Sequence, residues 1–147
     1  MRRIPFIGGK THTAAALNLL RTEVFQERFG DRISVPNFAV IVTGQSDVTT
    51  LEKHAFCKMQ TNLTLILDGN SNIDDESTLD AAAQLRATGT QVIVVPIGET
   101  FTNMAEIEGM ASEPVDKMII GVDRFSQLPQ IVMNITEGLC NGEYRQT

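Results

Sequence analysis

Four stretches of this chain are apolar almost without interruption: Asn37-Phe-Ala-Val-Ile-Val-Thr43, Leu63-Thr-Leu-Ile-Leu67, Gln91-Val-Ile-Val-Val-Pro-Ile97 and Lys117-Met-Ile-Ile-Gly-Val122. None shows the alternation of a strand with one wet face, so each is predicted to be a strand of a parallel sheet covered on both sides. Between them the apolar residues recur at steps of three and four. Leu17, Leu20 and Val24, extended by Phe25 and Phe29, give one helical stripe with Gly30 as its stop, and Thr11 or Thr13 is placed to cap its start. Thr49-Thr-Leu-Glu52 has the capping-box pattern and opens a short helix with Leu51, Ala55 and Met59 on one face. Asp74-Asp-Glu-Ser77 puts negative charge in the first turn of a further helix, whose stripe is Leu79, Ala82 and Ala83 and whose stop is Gly89. Asn103 with Glu106 caps a helix carrying Met104 and Ile107. A last helix carries Phe125, Leu128, Val132, Ile135 and Leu139, ends at Gly138, and leaves Asn141 to Thr147 as a frayed tail.

Strands alternating with helices predict an α/β fold: a doubly wound, Rossmann-like, mainly parallel sheet of about four strands with helices on both faces. With right-handed crossovers the economical strand order is second, first, third, fourth, which brings the ends of the Phe38 and Leu63 strands together. Ligands of open α/β sheets bind just beyond such carboxyl ends. There the chain offers Thr43 to Asp47 on one side and Asp68-Gly-Asn-Ser-Asn72 on the other. Asp68, Asn70 and Asn72 stand at alternate positions and all carry oxygen, the donor that magnesium or calcium requires. Turns use the same residue types, so a plain strand-to-helix turn is the competing reading.

A length of 147 residues suits one domain with its own core. An aromatic share of 5%, no Trp and a net charge of -6 argue against a nucleic-acid partner. No run is long enough to span a membrane, and Met1-Arg-Arg-Ile-Pro-Phe-Ile-Gly-Gly9 lacks the apolar segment of a signal peptide. Gly8-Gly-Lys-Thr11 is not a P-loop, because its glycine spacing is wrong and no strand precedes it. Cys57 and Cys140 fit free core thiols, a disulfide pair, or separate links to neighbouring domains. His54 and Cys57 lie about one turn apart with no second ligand pair, and read as ordinary helix residues. Asn62-Leu-Thr64 and Asn134-Ile-Thr136 satisfy the N-glycosylation pattern, but one borders a buried strand and the other falls in a helix, so both read as chance matches.

Taken together these segments resemble the von Willebrand factor A-type domain, an adhesion module of integrins and matrix proteins. Ile4-Pro-Phe-Ile-Gly-Gly-Lys-Thr-His-Thr-Ala-Ala-Ala-Leu17 is similar to the family's second metal motif and its helix, so the resemblance makes Thr11 the metal-binding threonine. Phe38-Ala-Val-Ile-Val-Thr-Gly-Gln-Ser-Asp47 resembles the strand and loop of the third motif, and Asp75 to Gly98 the next helix and strand. Leu65-Ile-Leu-Asp-Gly-Asn-Ser-Asn72 is similar to the first motif, Asp-x-Ser-x-Ser, with Asn at both Ser positions. Two other departures stand out. Gly44 follows Thr43 where the family has Asp, leaving Asp47 as the stand-in, and the first motif comes after the other two. The chain then reads as a rearranged, fragmentary or permuted member: one domain over residues 1–147, with 48–72 as an inserted helix-strand segment that fills the place of the missing first strand.

The resemblance implies a non-enzymatic, extracellular adhesion or protein-binding module. Its metal site would comprise Asp68, Asn70, Asn72, Thr11 and Asp47 around Mg2+, or Mn2+ or Ca2+, with an open position for an acidic group of a matrix protein ligand. A metal-free matrix scaffold keeps the fold without the ion. A third class, a doubly wound enzyme binding a nucleotide or phosphate between the first and third strands, lacks a Gly-x-Gly-x-x-Gly, a nucleophile elbow and a marked acid-base pair.

Overall fold

A computed structural model describes residues 12–32, 34–44, 62–68, 75–98 and 103–144 of the chain. The elements are α1 (Thr13–Leu19), β1 (Asn37–Gly44), β2 (Asn62–Asp68), α2 (Asp75–Arg86), β3 (Gln91–Ile97), α3 (Met104–Met110), α4 (Val115–Met118) and α5 (Leu128–Asn141). The capping-box helix expected after Thr49, with His54 and Cys57, lies outside the described residues.

The three strands form one parallel sheet in the order β2-β1-β3. Central β1 pairs from Asn37↔Asn62 to Thr43↔Asp68 on one side and from Phe38↔Gln91 to Gly44↔Ile97 on the other. Every side chain from Phe38 to Val42 and from Val92 to Ile97 is buried. Successive strand residues point to opposite faces, so burial of an unbroken run requires cover on both. The core cluster joins these strands to Leu17 and Leu20 at the first helix, Ala82 and Leu85 of α2, Ile107 and Met110 of α3, and Leu128, Ile135 and Leu139 of α5.

The fourth run behaves differently from its sequence. Val115 to Met118 is helical, and Ile119 and Val122 make only isolated parallel bridges, to Val94 and Ile97. The cause is Pro96. On the outer edge of β3, Val94 accepts from the Ile120 N–H and Pro96 accepts from the Val122 N–H, so the even-numbered residues face this segment. At Pro96 that edge has a carbonyl but no N–H, and a regular ladder breaks there. The described sheet is therefore three strands with a bridged edge segment, not four strands. Further back along the same edge, Ser112 serves in place of a strand: its N–H donates to the Val92 carbonyl and its Oγ accepts from the Val92 N–H, both at 2.9 Å.

Helix phase also departs from simple periodicity. Leu17 and Leu20 are buried as expected, yet Val24 is 40% and Phe29 61% exposed while Phe25 is buried. From Leu20 the backbone widens into a π-turn, with Phe25 N–H donating to the Leu20 carbonyl at 2.8 Å. One extra residue per turn moves the inward position from Val24 to Phe25. Residue His12, whose side chain makes no cap, occupies the N-cap position expected for Thr11 or Thr13, and Thr13 is buried in the first turn. In α2 the inward stripe is Thr78, Ala81, Ala82 and Leu85, with Ala83 exposed and Leu79 only partly buried. Asn103 does cap α3, its side chain accepting from the Glu106 N–H at 3.3 Å.

The last helix runs past Gly138 to Asn141. Gly142, at φ 79°, takes the left-handed turn, and Glu143 N–H closes it on the Gly138 carbonyl at 2.9 Å. A side chain with a Cβ is strained in that conformation, which makes Gly142 the stop and leaves Gly138 a packing role. A Cβ at Gly138 would lie 2.6 Å from the Tyr144 ring. Thus Gly142 to Tyr144 folds back on α5, in place of the frayed start to the tail.

Two links hold α2 to α3. The Arg86 guanidinium donates through Nη1 to the Gly109 and Met110 carbonyls, at 2.7 and 2.8 Å, where the last turn of α3 has no partners of its own. Gly109 lets the helices approach, since a Cβ there would meet Leu79 Cδ2 at 2.5 Å.

Candidate functional site

Parallel pairing places the carboxyl ends of β1 and β2 level with each other. Thr43 is the register partner of Asp68 on one side and of Pro96 on the other, so the central strand delivers a half-buried hydroxyl residue between them. Neighbouring strands lie about 4.8 Å apart, which sets the scale separating the Thr43 and Asp68 backbones. Gly44 follows Thr43 opposite Ile97, and Gly98 continues from β3, its N–H donating to the Val122 carbonyl at 2.8 Å. The rim of the sheet at this end is thus built from Thr43, Gly44, Asp68, Ile97, Gly98 and Val122.

Of the five metal ligands expected from the sequence, Asp68 alone lies within the described residues, as the last residue of β2. Thr11, Asp47, Asn70 and Asn72 lie outside them. Thr43, which opens the stretch expected to face Asp68 to Asn72, is not among the five expected ligands. Its signal is positional: it is the last residue before a glycine on the strand with a neighbour on each side. Among the described residues no group of three His, Cys, Asp or Glu is clustered as a metal centre. The donor set is oxygen in kind, with the Asp68 and Asp47 carboxylates, the Asn70 and Asn72 amides and the Thr11 hydroxyl, and that chemistry fits a hard divalent cation. Gly44, opposite Ile97 at the end of β1, brings no carboxylate of its own to the rim.

Cys140 is disulfide-bonded, which removes the free-thiol alternative for it; the other cysteine of the sequence, Cys57, lies outside the described residues. Tyr144 has a displaced titration. Burial of its ring against α5 pushes the phenol up from its ordinary value, and the neighbouring Glu143 carboxylate adds to the rise. Among the described residues no helix is long and apolar enough to cross a membrane.

Known proteins resemble the chain over most of its length. The family model of the von Willebrand factor type A domain matches residues 1–134. The collagen alpha-4(VI) chain of Mus musculus is 26% identical over 148 residues, covering 99% of this chain and 5% of the relative. The collagen alpha-1(XII) chain of Oryctolagus cuniculus is 26% identical over 138 residues, covering 94% of this chain and 17% of the relative. The chain accordingly spans a small part of the length of either relative.

Proposed function

Because the chain belongs to the von Willebrand factor type A domain family, we propose that it is a non-catalytic protein-binding module of the extracellular matrix whose ligand docks at the rim formed by β1 and β2. The observation that carries this reading is the Thr43↔Asp68 register at the ends of two adjacent parallel strands. It puts a carboxylate-bearing residue beside a hydroxyl-bearing one at the edge of the sheet where open α/β folds receive ligands. An extracellular setting is supported by the two collagen relatives and by the disulfide at Cys140, a bond that persists in oxidising compartments.

Asp68, Asn70, Asn72 and Thr11, with Asp47 as a further carboxylate, would hold Mg2+, or Mn2+ or Ca2+, and the ion would supply an open coordination position for an acidic group of the partner. Hard cations are held by carboxylate charge as well as by geometry, so a set with so few carboxylates binds its ion at the weak end of the range for such sites. A metal-free module is the second reading, and Gly44 after Thr43 is the observation that favours it.

Surface plasmon resonance over immobilised collagen fibrils and over an acidic peptide, run in magnesium and again in chelator, tests both readings. Cation-dependent docking predicts binding in magnesium that falls at least tenfold in chelator and in Asp68→Ala, with circular dichroism showing the variant folded. Binding that ignores chelator and Asp68→Ala alike establishes the metal-free module. Failure to bind either surface in any condition overturns the proposed function.

A further inference from the structure

Asn134-Ile135-Thr136 on α5 has the acceptor pattern for an N-linked sugar, and its helical position had set it aside. The structure changes the weight of that position. Ile135 is buried at 2% exposure, whereas Asn134 is exposed, as are Gln130, Met133 and Glu137 around it. The acceptor thus stands on the open face of the helix while the middle residue of the triplet anchors the core. The hydrogen bond from Gln130 Nε2 reaches Asn134 through Oδ1, at 2.9 Å, and leaves Nδ2, the atom that bears the sugar, out of the contact. A second observation concerns the compartment. Cys140, on the same helix, is disulfide-bonded, so the chain matures where disulfides form, which in secretory cells is also where N-linked sugars are transferred. The other matching triplet, Asn62-Leu-Thr64, opens β2 inside the sheet ladder, with Asn62 in register with Asn37.

We propose that Asn134 is an N-glycosylation site, modified before α5 forms. In the transfer, Nδ2 of Asn134 forms a bond to the anomeric carbon of an oligosaccharide carried on a polyprenyl pyrophosphate. The bond from that carbon to the pyrophosphate oxygen breaks, the pyrophosphate leaves with the electron pair, and the amide proton passes to a base. The order of events follows from Thr136. In the helix its Oγ1 donates to the Val132 carbonyl at 2.7 Å, so the hydroxyl that defines the acceptor pattern is tied to the backbone once α5 exists. The extended chain leaves it available. After folding, the sugar projects beside Met133, which is 42% exposed, and keeps that face of α5 from docking on another protein.

The chain secreted from mammalian cells behind a secretory leader provides the test, read by gel mobility with and without peptide N-glycosidase and by mass spectrometry of the peptide that contains Asn134. The expected result is a mobility shift removed by the enzyme, conversion of Asn134 to Asp on removal, loss of the shift in Asn134→Gln and Thr136→Ala, and its retention in Thr136→Ser. An unmodified Asn134 peptide overturns the assignment, as does a shift that survives both Asn134→Gln and Thr136→Ala. For the order of events, unglycosylated protein from bacteria is presented to microsomes with the lipid-linked donor, once folded and oxidised and once reduced and unfolded. Transfer to the unfolded chain alone is expected; equal transfer to the folded protein overturns modification before α5 forms.

Discussion

Arg86→Met removes the two hydrogen bonds from α2 to the last turn of α3 while keeping the length of the side chain. Both bonds, at 2.7 and 2.8 Å, are charge-assisted and end on carbonyls that the helix itself cannot satisfy. Hydrogen bonds to a charged group contribute roughly 1.5–3 kcal/mol each, and a cation at a helix C-terminus adds roughly 0.3–1 kcal/mol. Arg86 is only partly buried, so water recovers some of the lost bonding. The net expectation is a loss of about 3 kcal/mol. In a domain of this size that corresponds to a fall in melting temperature of roughly 6–12 °C. Urea unfolding followed by far-ultraviolet circular dichroism measures it, with an unchanged m-value showing that stability alone has moved. Arg86→Lys keeps the charge but not the fork of donors, and recovers about half the loss. Arg28→Met is the control, because Arg28 is exposed: its guanidinium makes one solvent-exposed hydrogen bond, from Nη2 to the Thr22 carbonyl at 3.2 Å, and lies 4.8 Å from the centroid of the Phe29 ring, joining no second helix. It costs about 0.5 kcal/mol. A loss below about 1 kcal/mol in Arg86→Met, or one no larger than in Arg28→Met, refutes the idea that this side chain joins the helices.

Other expectations rest on single contacts. Gly109→Ala changes stability by less than about 1 kcal/mol, because the gain in helix propensity offsets the displacement of Leu79, whereas Gly109→Ile costs more than about 2 kcal/mol; calorimetry of the pair separates them. Ser112→Ala leaves the Val92 N–H without its acceptor at a buried site and costs about 1–3 kcal/mol, with faster hydrogen exchange at the Val92 amide as a local readout. Tyr144 is the sole tyrosine and the chain has no Trp, so absorbance near the phenolate band reports it alone. Its midpoint lies above that of the urea-unfolded chain, and Glu143→Gln lowers it part of the way. A phenol whose folded value is raised contributes stability that is fully present below the unfolded value of about 10 and disappears as pH climbs through the folded one. Unfolding measured from pH 9 upward therefore shows a decline that is smaller in Tyr144→Phe.

Much of the architecture was legible because hydrophobic pattern and burial are the same physical fact seen twice. The runs Phe38 to Val42 and Val92 to Ile97 have no polar alternation, and both faces of their strands are covered. Asn103 and Glu106 stand three apart, and the cap they announce is present. What escaped was anything that depends on the backbone leaving its regular repeat. A π-turn at Leu20 exchanges Val24 for Phe25, and no periodic count from Leu17 anticipates the extra residue. Pro96 reads as an apolar member of its strand, and only the side it presents shows that it costs the next strand its ladder. Gly138 and Gly142 are alike in sequence, yet one admits a tyrosine ring and the other turns the chain. The site divides the same way. Strand pairing brings Asp68 level with Thr43, as the expected order required, while the amides and hydroxyls that would complete a cation shell lie outside the described residues, in stretches whose residue types serve turns and ligands alike.

Thermal unfolding with magnesium, manganese or calcium against chelator, on the native chain and on Asp68→Ala, asks whether the rim of β1 and β2 holds an ion. An ion that binds only the folded state at about one hundred times its dissociation constant stabilises by roughly 2.7 kcal/mol. The melting temperature then rises by roughly 5–11 °C. The cation-dependent account predicts that rise in the native chain and its disappearance in Asp68→Ala. A melting temperature indifferent to every cation, or a rise that persists undiminished in Asp68→Ala, contradicts it.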